Sequence, residues 1–530
     1  MKPNLLKNGI KTETNAKTTA LSLKNASKTD FDVTTEYLFA QGWKTAENRL
    51  FGPNSFISFY RESGKNRKRT DGAFLTFFPG NGDLGLTIEK GCRNFSFDGG
   101  FSEEATNRIL KPGFKQKKSG LCKASFAQLK LTDYGLSDVL RLPDGRFILI
   151  DGGRHLKEDA DCLMEYLEKE SPFEKPVIAA WILTHVHTDH VNGFLKFLEC
   201  YENRVIIERI FRNFPRHDDF GHYPKLEKNL TPDGSASLGL TCEKKIRKMK
   251  APFYEPHTGE IYRFGDAQVE FLCTMEETID HCANVNATSL VFMITVAGQK
   301  LFIPADASMN KGNMAAHYGK YLRADIMQVP HHGYGSIGME QEIECYKLIS
   351  PKTALVPVCY ADTYREICPY RLSARYLMEE SKLKRFFTGG ETVRLELPYR
   401  PKESNMETVR ENLRRGEAQN GDRNWFFTGL STDKSEDFRF RVINCTLKAT
   451  ANLSADLFFE DAELRVSNIR AEIPASTVRE IDLLNPADCN PDAMVYNPDS
   501  LTIKGIQPHN TFAVRILSDI PVVITKEESH

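Results

Sequence analysis

The densest chemistry in the chain lies in Thr184-His-Val-His-Thr-Asp-His-Val-Asn-Gly193, where three histidines and an aspartate fall within six residues. Imidazole and carboxylate groups gathered this way are the ligands that zinc and comparable divalent ions take. On an extended segment His185 and His187, two apart, project to one side and can grip one ion. Asp189 and His190, just beyond the turn, can reach a second. Core packing would leave histidines isolated with one partner each, and four such groups at one strand end are hard to satisfy that way. Asp306 ends the apolar run Lys300-Leu-Phe-Ile-Pro-Ala, and the pair His331-His332 ends Ala324-Asp-Ile-Met-Gln-Val-Pro. Both converge on the same point if these strand ends share an edge. Taken alone, a strand-terminal Asp more often caps a loop.

Short strands alternating with helical patterns must position these groups. The sequence predicts strands at 127–132, 138–142, 146–151 and 177–183, with a helix near 157–170. Further strands are expected at 268–272, 289–296, 300–303, 324–329 and 353–358. Asp144-Gly145 reads as a hairpin turn, and Asp151-Gly-Gly153 ends the following strand, where glycine permits a sharp exit. This is a layered α/β domain over 121–400. Ahead of it, residues 1–30 are polar and aperiodic and read as a disordered or loosely held arm. Residues 31–120 hold β-prone runs at 55–60, 73–78 and 84–88 and read as a β-rich N-terminal domain. Residues 401–422 read as a linker, and 423–530, with alternating runs at 438–443, 456–459 and 511–516, as an all-β, sandwich-like domain.

The 530 residues carry a net charge of −1, 41% hydrophobic and 27% charged residues, which excludes collagen-like, coiled-coil and wholly disordered classes. The longest apolar stretch, 177–183, is far short of the ~20 residues of a membrane span. No apolar leader opens the chain, so no membrane association and a cytoplasmic location are expected. The 12 cysteines show no CxxC pair and read as reduced core thiols. Residues 1–130 hold 22 Lys and Arg against 12 Asp and Glu. Three basic runs, 65–69, 115–118 and 244–250, could meet a polyanion, although solvated loops or helix faces are the commoner reading of such runs.

The HxHxDH segment, with Asp151-Gly-Gly before it and Lys300 to Ala307 and Ala324 to Gly333 after it, resembles the metallo-β-lactamase-fold superfamily over roughly 121–400. The resemblance implies an αββα sandwich with two metals at one sheet edge. His185 and His187 would sit on the first metal, Asp189 and His190 on the second, and Asp306 would bridge them. The final ligand would come from Pro330-His-His-Gly333, with His332 favoured and His331 lining the site. The third ligand of the first metal would be His281, with His217, His222 and His257 as rivals that read better as surface or substrate-facing groups. Within the superfamily, Tyr134 to Gly153, Asn286-Ala-Thr-Ser-Leu-Val and Pro-His-His-Gly look like the hydrolase domain of bacterial competence DNA-uptake proteins. Members of that branch are presumed phosphodiesterases or nucleases. Where the branch commonly shows His-Pro, this chain reads Cys368-Pro369, which bears on substrate class more than on metal binding.

The expected function is therefore a metal-dependent hydrolase with two divalent ions, zinc foremost and manganese or iron as alternatives. A water between two such ions would be deprotonated near neutral pH, and the resulting hydroxide would be the nucleophile. Asp189 would orient it, while His331, Asn286 or Tyr334 could donate to the leaving group or oxyanion. A phosphodiester, in a small molecule or a nucleic acid, is the preferred substrate. Carboxylic ester, thioester or lactam hydrolysis uses the same ligands, and a non-catalytic scaffold is the rival from another class. Redox chemistry at a diiron centre is disfavoured, because family members of that kind replace the second motif histidine and this chain keeps His187. The β-rich flanks could guide substrate or form a homo-oligomer.

Overall fold

The structure is a computed structural model that describes residues 2–14, 17–63, 69–93, 122–132, 134–216, 219–223, 226, 234–249, 251–280, 284–307, 313–334, 339–359, 363–364, 372–421, 424–431, 435–444, 450–459, 465–474, 477–483, 494–495, 511–519 and 522–526. It divides into two compact units, Met1–Arg410 and Glu411–His530.

The heart of the first unit is a pair of face-to-face sheets. Val177–Leu183 is apolar at every position because it is buried on both faces, as a strand between a helical layer and a second sheet must be. It pairs in parallel with Phe147–Asp151 on one side and Ile210–Arg212 on the other. Ser137–Arg141 and Ser125–Gln128 extend this sheet antiparallel, and Val393–Glu396 closes it by pairing with Ser125–Gln128. The second sheet runs from Ile261–Phe264 through Ala267–Cys273, Val291–Val296, Gln299–Ile303, Ile326–Gln328 and Thr353–Val356 to Arg385–Thr388. Phe126, Leu140, Ile148, Ile182, Phe292 and Leu301 are among the residues that fill the space between the sheets. Helices Lys157–Glu170 and Val191–Tyr201 cover the outer face of the first sheet through Leu163, Leu167, Phe194 and Phe197 packed on Trp181 and Leu183. The architecture is thus the αββα sandwich, with β-rich regions on both flanks. Asp144-Gly145 makes the expected turn, with Gly145 at φ 85°.

The N-terminal flank is a six-stranded antiparallel sheet, and it includes residues expected to be a loose arm. Ile10–Thr14 pairs with Thr18–Leu23, which pairs with Asp83–Glu89. The polar Thr- and Lys-rich composition suits outer strands, where side chains alternate between a packed face and water. Helix Lys28–Ala40, also unforeseen, starts at a capping box in which Ser27 and Asp30 exchange side-chain and backbone hydrogen bonds. It lays Phe31 and Leu38 on Leu75, Phe77, Leu84 and Leu86 of the sheet. The sheet's other face docks on the sandwich: Phe51 meets Tyr318 and Tyr321, and the Arg49 guanidinium pairs with Glu270 at 2.9 Å.

The stretch expected to be a linker carries a helix, Met406–Gly421. In the second unit a five-stranded and a three-stranded antiparallel sheet share a core that includes Leu457, Ile473, Val514 and Ile516 with Phe440 and Val442. Among the described residues no helix is long and apolar enough to cross a membrane, and the eight described cysteines are free thiols.

Candidate metal centre

The chemistry-bearing residues sit where strands of the two sheets end at one edge. Asp151 ends Phe147–Asp151, Thr184 and His185 follow Val177–Leu183, Asp306 follows Gln299–Ile303, and His331 and His332 follow Ile326–Gln328. Two glycines bring the first two ends together. A Cβ on Gly193, in the first turn of helix Val191–Tyr201, would lie 1.8 Å from the carbonyl oxygen of Gly152. Only hydrogen fits there, and the close approach sets His190 against Asp151. Four non-glycine residues at this edge take left-handed backbone: Asp151, Ala305, His331 and His332, at φ 53°, 48°, 47° and 52°. Each such residue costs ~1–3 kcal/mol, and they cluster at functional sites where the surroundings enforce them.

The side chains converge. Asp189, His190, Asp306 and His332 present ligand-type atoms all within 4.8 Å of one another, every one of these residues being buried. His190 Nε2 lies 3.2 Å from His332 Nε2 and 3.2 Å from Asp306 Oδ2. His332 Nε2 lies 3.1 Å from Asp189 Oδ2 and 3.3 Å from Asp306 Oδ2. His185 Nε2 stands 3.8 Å from the same Asp306 oxygen.

Asp151 fixes the tautomers of two of these rings, a role the sequence reading missed. Its Oδ2 accepts from His190 Nδ1 at 2.7 Å and from Thr184 Oγ1 at 2.6 Å, and its Oδ1 accepts from the Thr184 amide at 2.7 Å. Thr184 Oγ1, its proton committed to Asp151, accepts from His185 Nδ1 at 3.1 Å. Both imidazoles therefore use Nδ1 as a donor and turn Nε2 toward Asp306, so that Nε2 is the nitrogen a metal would take in place of a proton. The signal available in the sequence was the Asp that precedes Gly152-Gly153 at a strand end. Behind it, Asp138 is wholly buried; burial and the Asp151 charge push its carboxyl well above the usual carboxylate range.

Electrostatics favour a cation at this point. Burial works against charge on each group, yet the carboxylates of Asp306, Asp189 and Asp151 hold His190 well above its usual range, and Asp306 and Asp189 push His332 up to about 9. Burial and neighbouring His190 hold His185 well below, neutral and ready to ligate. Burial would raise Asp306, but His190 and His332 keep it low. His185 Nε2, Asp306 Oδ1 and His332 Nδ1 are buried without a hydrogen-bond partner. Two facing ring nitrogens among carboxylates, with acceptors left over, fit divalent metal ions better than they fit each other.

Of the remaining expected site residues, His187 is half-buried, its ring 4.9 Å from that of His185. Asn286 Nδ2 donates to His331 Nε2 at 3.0 Å, so those two stand together beside His332. His222 is exposed on the short helix Asp219–His222. His257 is neither a surface nor a substrate-facing group: it is buried with Glu276 and Glu89 each 3.2 Å away. His281, His217 and Cys368 lie outside the described residues, as do the basic run at 115–118 and all of the run at 65–69 except Arg69. Residues 244–248 of the third run are on helix Ser235–Lys248, where Lys245 pairs with Glu202 and Arg247 with Glu243.

Residues 134–334 match the model of the metallo-beta-lactamase superfamily, so the sandwich carries a domain of that superfamily. No curated protein matches the chain. Among solved structures it is similar to the metallo-beta-lactamase fold protein YhfI from Bacillus subtilis, at 12% identity over 51% of this chain and 99% of that one, with a TM-score of 0.32. It is also similar to CmlA, a diiron beta-hydroxylase from Streptomyces venezuelae, at 13% identity over 53% of this chain and 55% of that one, TM-score 0.33. A third likeness, to the Anabaena sensory rhodopsin transducer, covers 20% of this chain and 94% of that one at 20% identity and TM-score 0.15.

Proposed function

We propose that this chain is a metal-dependent hydrolase acting on a phosphodiester, with zinc as the expected metal and manganese or iron as alternatives. The observation that carries the reading is the buried convergence of Asp189, His190, Asp306 and His332, with His185 beside it and both His185 and His190 held as Nδ1–H tautomers by Asp151 and Thr184. His185, His187 and His281 would hold one ion and Asp189, His190 and His332 the other, with Asp306 shared. When bound, such ions supply Lewis-acid polarisation of the scissile oxygen and acidify water at neutral pH.

The chain's own groups supply the rest. Asp189, an ionised carboxylate at the centre of the cluster, orients the attacking water and accepts its proton. The Asn286 amide donates to His331 Nε2, which places the proton of His331 on Nδ1, the group assigned to the oxyanion or leaving group in this reading. Support for an anionic substrate comes from Arg154, whose guanidinium lies 4.1 Å over the Tyr134 ring; that ring meets His332 edge-on at 6.0 Å. A cation fixed beside the partly exposed Tyr134 stabilises a phosphodiester in a way a neutral ester or lactam does not need. A nucleic-acid strand and a small diester share that chemistry.

Hydrolysis of an activated phosphodiester, a phosphomonoester and a carboxylic ester, measured side by side with zinc- or manganese-loaded protein, tests the reading. Diester turnover that disappears in Asp189→Ala is expected. Ester-only turnover would keep the mechanism and overturn the substrate, and no turnover of the three would overturn both for generic substrates.

A further inference from the structure

A cavity of about 520 Å³ lies between the N-terminal sheet and the sandwich, and none of Asp189, His190, Asp306 and His332 lines it. Its origin can be traced through strand register. Across the four neighbouring strands, Thr12, Ala20, Ser22, Gly85, Thr87 and Thr76 fall on the sheet face turned to the sandwich. That face holds itself off at two points. The Phe74 ring stands 4.4 Å from the His257 ring, and Phe78 stacks on His317 at 3.9 Å and 12°. Large rings at the contacts and small side chains between them leave space, of the volume small-molecule sites occupy.

The opposite wall is acidic, with Glu276, Glu277 and Asp280 beside Thr258. Most of the other charges facing the cavity are already matched. Asp83 accepts from Lys24 at 2.7 Å and from His317 at 2.8 Å, and Glu276 is taken by His257 and by the Asn213 amide. Glu277 has only neutral donors, Thr258 Oγ1 at 2.7 Å and the Thr274 amide at 3.0 Å, and among the described residues no cationic side chain pairs with it. We propose that this cavity binds a small organic cation, an ammonium group on a slender apolar or aromatic body, with Glu277 as its counter-ion. The hydroxyls of Thr76, Thr87 and Ser22 line the floor and the Phe74 and Phe78 rings bound the ends, surroundings suited to an amine of that shape. Burial pushes the Glu277 carboxyl up to about 7, as burial does to a carboxyl left without a cation.

The proposal is independent of turnover at the metal centre and is tested by binding alone. The full chain is titrated calorimetrically with 2-phenylethylammonium chloride, with 2-phenylethanol and 3-phenylpropionate as neutral and anionic counterparts. One saturable site is expected, with the cation about tenfold tighter than the alcohol, the worth of one charge-assisted contact. Glu277→Gln should lose that margin. Ser22→Phe, on a strand that is only half-buried, should fill the space and abolish binding while leaving thermal unfolding near that of the parent. Absence of saturable binding by the cation, equal binding of all three probes, or unchanged affinity in both variants would overturn the proposal.

Discussion

Asp151→Asn separates a liganding site from a chance cluster of histidines. The carboxylate accepts three hydrogen bonds, two from Thr184 and one from His190 Nδ1. An amide can keep its oxygen on the Thr184 backbone amide, but its NH2 then faces the Thr184 hydroxyl and His190 Nδ1. His190 must move its proton to Nε2, the nitrogen aimed at Asp306, where it blocks a ligand position. Losing such a supporting contact lowers metal affinity by ~10–100-fold, or ~1.4–2.7 kcal/mol. That range matches the ~1.5–3 kcal/mol of one hydrogen bond to a charged group, which is the contact His190 gives up. Competition against a chromophoric chelator measures it, with circular dichroism to show that the fold is kept. Asp138→Asn is the matched control. Asp138 lies on the neighbouring strand and makes none of the hydrogen bonds to Thr184 or His190, so the amide should change affinity less than about twofold, within the spread of a near-isosteric change. An Asp151→Asn protein that binds metal as tightly as the parent, or an Asp138→Asn protein weakened equally, would refute the tautomer argument.

Gly193→Ala should destabilise the chain by ~3 kcal/mol or more, because its Cβ meets the Gly152 backbone rather than a side chain that can swing away; thermal unfolding reads it, and an unchanged midpoint would contradict the close approach. Arg154→Ala should lower kcat/KM for a diester about tenfold and leave a neutral ester nearly unchanged, a split that steady-state kinetics on both substrates would show. His257 is buried, which lowers its pKa, but Glu276 and Glu89 hold it well above the usual histidine range. Its folded pKa therefore exceeds its unfolded value of ~6.5, so its contribution is complete below that pH and lost as pH rises through the folded pKa. His257→Gln should flatten the alkaline limb of the stability–pH profile, and an unaltered limb would count against the buried ion pairs.

The strand at 177–183 and the ligand-rich turn after it were legible because a run buried on both faces and a crowd of histidines are both local signals. Asp306 and His332 were legible only as strand ends, and their meeting with His190 depends on two sheets sharing an edge. Asp151 was read as a strand terminus, since nothing near it in sequence tells that its partners are Thr184 and His190, 33 and 39 residues on. At 10–23 the polar composition hid two strands, the second held by pairing with Asp83–Glu89 and the first by pairing with the second. The helix at 28–40 did have a local mark, Ser27 three residues before Asp30, and its apolar face becomes meaningful only once a sheet lies beneath it.

The path of the chain after the metal-centre residues bears on where the protein can be cut. Having laid down the second sheet as far as Arg385–Thr388, it crosses back and adds Val393–Glu396 to the first, against Ser125–Gln128. A fragment trimmed to the 134–334 match would lose both of those strands together with Thr353–Val356 and Arg385–Thr388, leaving two sheets with raw hydrogen-bonding edges that invite aggregation. The smallest piece able to close both sheets must run past Leu397. Because Phe51 and Arg49 cover the flank of the second sheet, a well-behaved piece should keep the N-terminal strands as well.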